Sequence, residues 1–111
     1  MKIVGYAQHT GTPGHAATCM EIAMQHAQKD EVAMVFMNQG INKITNMKHP
    51  INIRPDVVVV YKSGKIDFIE VMSNSDTKKL LLDRVKPVME SFSTEAQGNI
   101  NMTRIPQRFK K

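Results

Sequence analysis

The stretch RPDVVVVYKSGKIDFIEVM, residues 54–72, decides the fold. An apolar run, Val57 to Val60, is headed by Pro55-Asp56, and a second run, Ile66 to Val71, carries Asp67 and Glu70. Between them lies Lys62-Ser63-Gly64-Lys65, so the pair reads as a β-hairpin. The length of the turn determines which side chains face each other. A two-residue Ser63-Gly64 turn would set Val57 opposite Glu70 and send Asp56 to the other face, because side chains alternate along a strand. A three-residue loop, Lys62-Ser63-Gly64, pairs Tyr61 with Lys65 and sets Asp56 opposite Glu70. The longer loop is expected, since it needs positive φ only at Gly64, whereas a type I′ turn also needs it at the serine. Facing Cβ atoms then lie about 4.5–5.5 Å apart, within joint reach of one Mg²⁺ or Mn²⁺. Glu70 stands between Ile69 and Val71 and shares its face with Phe68 and Met72, so its burial without a partner would be costly. The alternative reading is a plain hairpin with a terminal Asp and a solvent-side Glu.

Outward from the hairpin, the chain reads helix, three strands, helix, strand. Thr12 as N-cap and Pro13 at the first helical position predict a helix to about Lys29 that turns Ala16, Cys19, Met20, Ala23, Met24 and Ala27 inward. Val32 to Met37 is a short apolar strand, and Asn38 to Pro50, rich in Asn and Lys, is a loop. Val57 to Val60 is apolar on both faces, as a central strand should be. Ser73-Asn74-Ser75-Asp76 caps a second helix with Leu81, Val85, Val88, Met89 and Phe92 at helical spacing. Pro87 removes a hydrogen bond to residue 83 and is expected to kink or split that helix. Ile100 to Ile105 reads as a last strand stopped by Pro106, and residues 107–111 as a frayed basic tail. The nine methionines, Met20, Met24, Met34 and Met37 among them, are expected mostly as core filler.

With 111 residues and 41% apolar content, residues 1–111 form one domain with a modest core. A net charge of +5 and a pI near 9.5 favour an acidic partner such as nucleic acid. The single cysteine, Cys19, excludes an intramolecular disulfide and is compatible with a reducing compartment. No apolar stretch reaches membrane-spanning length, and residues 1–14 lack a signal-peptide pattern.

The order α-β-β-β-α-β, with Pro-Asp heading one strand and an acid in the next, resembles the PD-(D/E)xK nuclease superfamily, an α/β fold with a mixed central sheet flanked by helices. More narrowly, GHAATCMEIA (14–23), FMNQGI (36–41) and RPDVVVVYKSGKIDFIEVMSNSDT (54–77) resemble the C-terminal nuclease domains of bacterial polymorphic and contact-dependent growth inhibition toxins. The resemblance implies a metal-dependent endonuclease, delivered into a competitor's cytoplasm as part of a larger secreted protein and neutralised in the producer by a cognate immunity protein. It implies Asp56 and Glu70 as ligands of Mg²⁺ or Mn²⁺, with Glu21 as a further acid from the first helix. Its expected substrate is RNA, tRNA before DNA.

The superfamily places a lysine two positions after the strand acid, where this chain has Met72. Members that relocate the lysine to the next helix suggest Lys78 or Lys79 for the role, although lysines in a first helical turn are ordinarily solvated charges. His15, in the first turn behind Gly14, is a candidate phosphate contact. His15 and Glu21 are about 240° apart around a helix, so both do not point at one small site. Arg54, Lys62 and Ser73 are the other expected nucleic-acid contacts, Ser73 having helix capping as its alternative duty. His15, Cys19 and His26 share one helical stripe, but three ligands along a helix with no fourth nearby is poor zinc spacing. Two rival functions stay open: a non-catalytic nucleic-acid- or protein-binding domain of the same fold, and a homodimeric junction-resolving nuclease.

Overall fold

A computed structural model describes residues 2–8, 12–73 and 76–109. The elements run β1 (Ile3–Gly5), α1 (His15–Ala27), β2 (Val32–Met37), α2 (Ile41–Thr45), β3 (Val57–Tyr61), β4 (Ile66–Met72), α3 (Lys78–Glu90) and β5 (Gln97–Arg104), followed by a 3-10 turn at Gln107–Phe109. The five strands form one mixed sheet in the order β1-β2-β3-β4-β5. The pairs β2/β3 and β3/β4 are antiparallel, while β1/β2 and β4/β5 are parallel. The expected α-β-β-β-α-β string is present, with β1 and α2 added to it.

The hairpin has the expected register. Tyr61 and Lys65 close it with a 2.9 Å bond from the Tyr61 N–H to the Lys65 carbonyl, Gly64 sits at φ 95°, and Val57 pairs with Ile69. One step further along the same register, Asp56 faces Glu70. Alternation along β3 and β4 then builds two cores. Val57, Val59, Ile69 and Val71 pack against Cys19 and Ala23 of α1 on one face. Val58 and Phe68 pack against Ile41 of α2 and Val85, Val88 and Met89 of α3 on the other. Each fully buried side chain of this kind contributes about 1.5–3 kcal/mol.

Several expectations are corrected. The helix α1 begins at His15, not Pro13, because Gly14 holds φ 82° and a Cβ there would collide with Phe109 and Ile105. Met20 and Met24 are exposed, since Cys19 and Ala23, not their neighbours, face the sheet. The Asn38 to Pro50 segment contains α2, which buries Ile41 completely; Asn42 ties it down by donating its N–H to Asn52 Oδ1 and accepting the His49 N–H at Oδ1. The cap of α3 is Thr77, whose hydroxyl accepts the Leu80 N–H, while Asp76 accepts the Ser73 N–H and closes the turn before it. Asn74 and Ser75 of the expected cap lie outside the described residues. Pro87 does not split α3; Asp83 and Pro87 are both exposed, where water can take up the freed carbonyl. Residues 107–109 are not frayed: Phe109 packs on the α1 core and Arg108 pairs with Glu21. Lys110 and Lys111 lie outside the described residues.

Candidate active site

The C-terminal ends of β1, β2, β4 and β5 lie at one end of the sheet, the end at which open α/β sheets bind ligands. There the N-terminal turn of α1 and the first half of α3 flank a cleft of about 300 Å³. Gln8, Thr12, His15, Arg54, Asp56, Glu70, Ser73, Asp76 and Arg84 supply its polar lining. Four expected site residues, Arg54, Asp56, Glu70 and His15, therefore meet in one place, with Ser73 at its edge.

Asp56 is held from two sides. Its Oδ2 accepts the Val71 N–H at 2.8 Å, and its Oδ1 lies 3.4 Å from His15 Nε2. Glu70 is 3% exposed, and its Oε1 is buried with no hydrogen-bond partner among the described residues. Arg84 Nη2 stands 4.0 Å from that oxygen. Burial, and next the charge of Asp56, push the Glu70 carboxyl up to about 8, with Arg84 offsetting only part of the effect. A buried acid with an unsatisfied oxygen beside a second carboxylate is a poor structural element and a good cation ligand. Both acids offer oxygen, the donor that Mg²⁺ and Mn²⁺ prefer.

Behind the cleft, Cys19 Sγ lies 3.9 Å from His15 Nδ1. The order Cys19, His15, Asp56 matches a thiol-imidazole-carboxylate triad, but Cys19 is 1% exposed, and burial with the nearby carboxylates pushes its thiol up to about 12. Such a thiol reaches no substrate and is no nucleophile. One donor atom each from His15, Cys19 and Asp56 does, however, lie within 4.8 Å of the other two. His26 takes no part in that cluster. Desolvation lowers its pKa, and its Nδ1 is buried without a hydrogen-bond partner among the described residues.

Glu21 is exposed and paired with Arg108, so it does not complete a shell around Asp56 and Glu70; the 240° separation from His15 accounts for this. Lys79 pairs with Asp83 at 2.8 Å on the exposed face of α3, and neither it nor Lys78 lines the cleft. Lys62 sits on the hairpin turn at the far end of the sheet, in a separate cleft with Tyr61, Lys65 and Asp67. The cation that α3 brings to the site is Arg84, which sequence reasoning missed. Its signal was its position three residues after Leu81 and four before Val88, on the border of the apolar stripe facing the sheet. Met72, at the motif lysine position, is buried at 2% exposure.

Comparison with protein-family models, curated proteins and solved structures returned no match. Among the described residues no helix is long and apolar enough to cross a membrane, and one cysteine permits no intramolecular disulfide.

Proposed function

We propose that the protein is a metal-dependent endonuclease of PD-(D/E)xK type, and that it acts as an antibacterial toxin domain on RNA, tRNA before DNA. The observation that carries this reading is the facing pair Asp56 and Glu70, in which a buried Glu70 oxygen has no hydrogen-bond donor among the described residues while the partner carboxylate is held from both sides. Asp56 and Glu70 would hold Mg²⁺ or Mn²⁺; a bound cation supplies Lewis acidity toward water and the scissile phosphate. The Val71 N–H and His15 fix the Asp56 carboxylate, so the first ligand needs little reorganisation. Arg84 takes the place of the motif lysine, offsetting charge that grows on the phosphate. Arg54, exposed at the rim, contacts the nucleic-acid backbone, to which the basic chain is drawn. The resemblance of residues 14–23, 36–41 and 54–77 to toxin nuclease domains supports delivery within a larger secreted protein, action in a bacterial cytoplasm and a cognate immunity protein.

The rival, a binding domain without chemistry, is favoured by Met72 at the lysine position. Incubating the protein with total RNA and with plasmid, with Mg²⁺ and with chelator, separates the two. Defined products only with Mg²⁺, and none from Asp56→Ala, are expected. Tight binding without any cleavage would leave the binding domain as the reading.

A further inference from the structure

We propose that His15, Cys19 and Asp56 form a site for a thiophilic divalent cation of the Zn²⁺ class, distinct in chemistry from the oxygen pair Asp56 and Glu70 and sharing only Asp56 with it. The helix builds half of it: His15 and Cys19 are four residues apart, so imidazole and thiol stand one above the other on the buried face of α1. The start of β3 brings Asp56 to the same point. One imidazole nitrogen, the Cys19 sulfur and one Asp56 oxygen lie within 4.8 Å of one another. Tetrahedral bonds of about 2.0–2.3 Å put donor atoms roughly 3.4–3.6 Å apart. The 3.4 Å between His15 Nε2 and Asp56 Oδ1 already has that value. Cys19 Sγ stands 3.9 Å from the other ring nitrogen, Nδ1, so closing the set around one cation requires the imidazole and thiol side chains to turn toward Asp56.

A second observation points to a ligand. Glu70 lines the same cleft as His15 and Asp56, is 3% exposed, and its Oε1 has no hydrogen-bond partner among the described residues, so an unsatisfied acid adjoins the cluster at Asp56 without belonging to it. Sulfur and nitrogen donors select Zn²⁺ and Co²⁺ and are refused by Mg²⁺, which keeps to oxygen. The thiol proton leaves as the cation binds, the metal taking its place on sulfur. Because Asp56 belongs to both sets, occupancy by Zn²⁺ withdraws a ligand from the hard cation.

The probe is Co²⁺, titrated into metal-free protein without nucleic acid. One equivalent should bind with a thiolate-to-cobalt charge-transfer band in the near ultraviolet, and Zn²⁺ should displace it. Cys19 is the single cysteine, so the band itself identifies the residue and no variant need fold for the test to count. His15→Gln and Asp56→Asn should each weaken Zn²⁺ binding at least tenfold, with thermal melts checking that they remain folded. Co²⁺ binding without the band, or the band with undiminished affinity in both folded variants, overturns the proposal. The outcome does not depend on nuclease activity, so the two readings fail separately.

Discussion

Two acids on one strand, Asp67 and Glu70, are both buried, at 6% and 3% exposure, and have opposite fates. Asp67 is saturated. Tyr61 Oη donates to its Oδ2 and the Asn99 N–H to its Oδ1, each at 2.7 Å. It sits where the β4/β5 ladder is interrupted between Ile66 and Phe68, and its carboxylate replaces the missing backbone acceptor. Burial and this hydrogen bond push the Tyr61 hydroxyl up to about 12, so at neutral pH it is always the donor. Glu70, three residues on and on the other face, has an oxygen with no hydrogen-bond partner among the described residues and a second carboxylate beside it. Burial alone therefore does not set Glu70 apart from Asp67; burial without satisfaction does.

The comparison breaks first on activity. Asp56→Ala and Glu70→Ala should each lower Mg²⁺-dependent cleavage by more than about a hundredfold while the fold is kept, because on the proposed function each removes a ligand of the cation. Asp67→Asn should leave the single-turnover rate within about twofold once its folded fraction is matched. Equal losses at Asp67 and Glu70 would erase the distinction.

Stability against pH sharpens it. The folded-state pKa of Glu70, about 8, lies above the usual 4.5, so the native protein keeps a proton that the unfolded chain releases. Without divalent cation, stability should fall as pH rises between those values and level off above the upper one. Glu70→Gln should flatten the curve, as read from urea midpoints across that range, and a midpoint that rises with pH in the native chain would contradict the assignment.

A smaller effect is expected from α3. Arg84→Met should reduce the saturating rate about tenfold, whereas Lys78→Met and Lys79→Met should leave it unchanged and alter only salt-dependent affinity. Single-turnover kinetics beside binding at two salt concentrations distinguishes these. The smallest change belongs to the saturated acid: Tyr61→Phe leaves one Asp67 oxygen without its donor and should cost about 1–2 kcal/mol in a urea melt, with cleavage intact.

The site was legible where local chemistry controls geometry. Gly64 dictated the three-residue loop, the loop dictated the register, and the register set Asp56 opposite Glu70. Val32 to Met37 and the apolar face of α3 were legible for the same reason, a periodicity carried by neighbours in sequence. The three-residue β1 and five-residue α2 were too short to carry a period. Thr12-Pro13 is a good helix start, but the close approach of Ile105 and Phe109 to Gly14 overrides it.

By itself, then, the amino-acid order determined the hairpin, its pairing and the facing of two carboxylates, because turn conformation and strand alternation act over a few residues. Only the tertiary structure decided which other side chains join them. Spacing along α1 grouped His15 and Cys19 with His26, yet the residue that clusters with them is Asp56, brought to the helix by the start of β3. The superfamily resemblance pointed to the first-turn lysines of α3, yet Arg84 is the cation that α3 brings within 4.0 Å of Glu70. Whether a buried acid ends satisfied, like Asp67, or unsatisfied, like Glu70, depends on groups 6 to 32 residues away, Tyr61 and Asn99 among them, which only the packing of the sheet brings within hydrogen-bond reach.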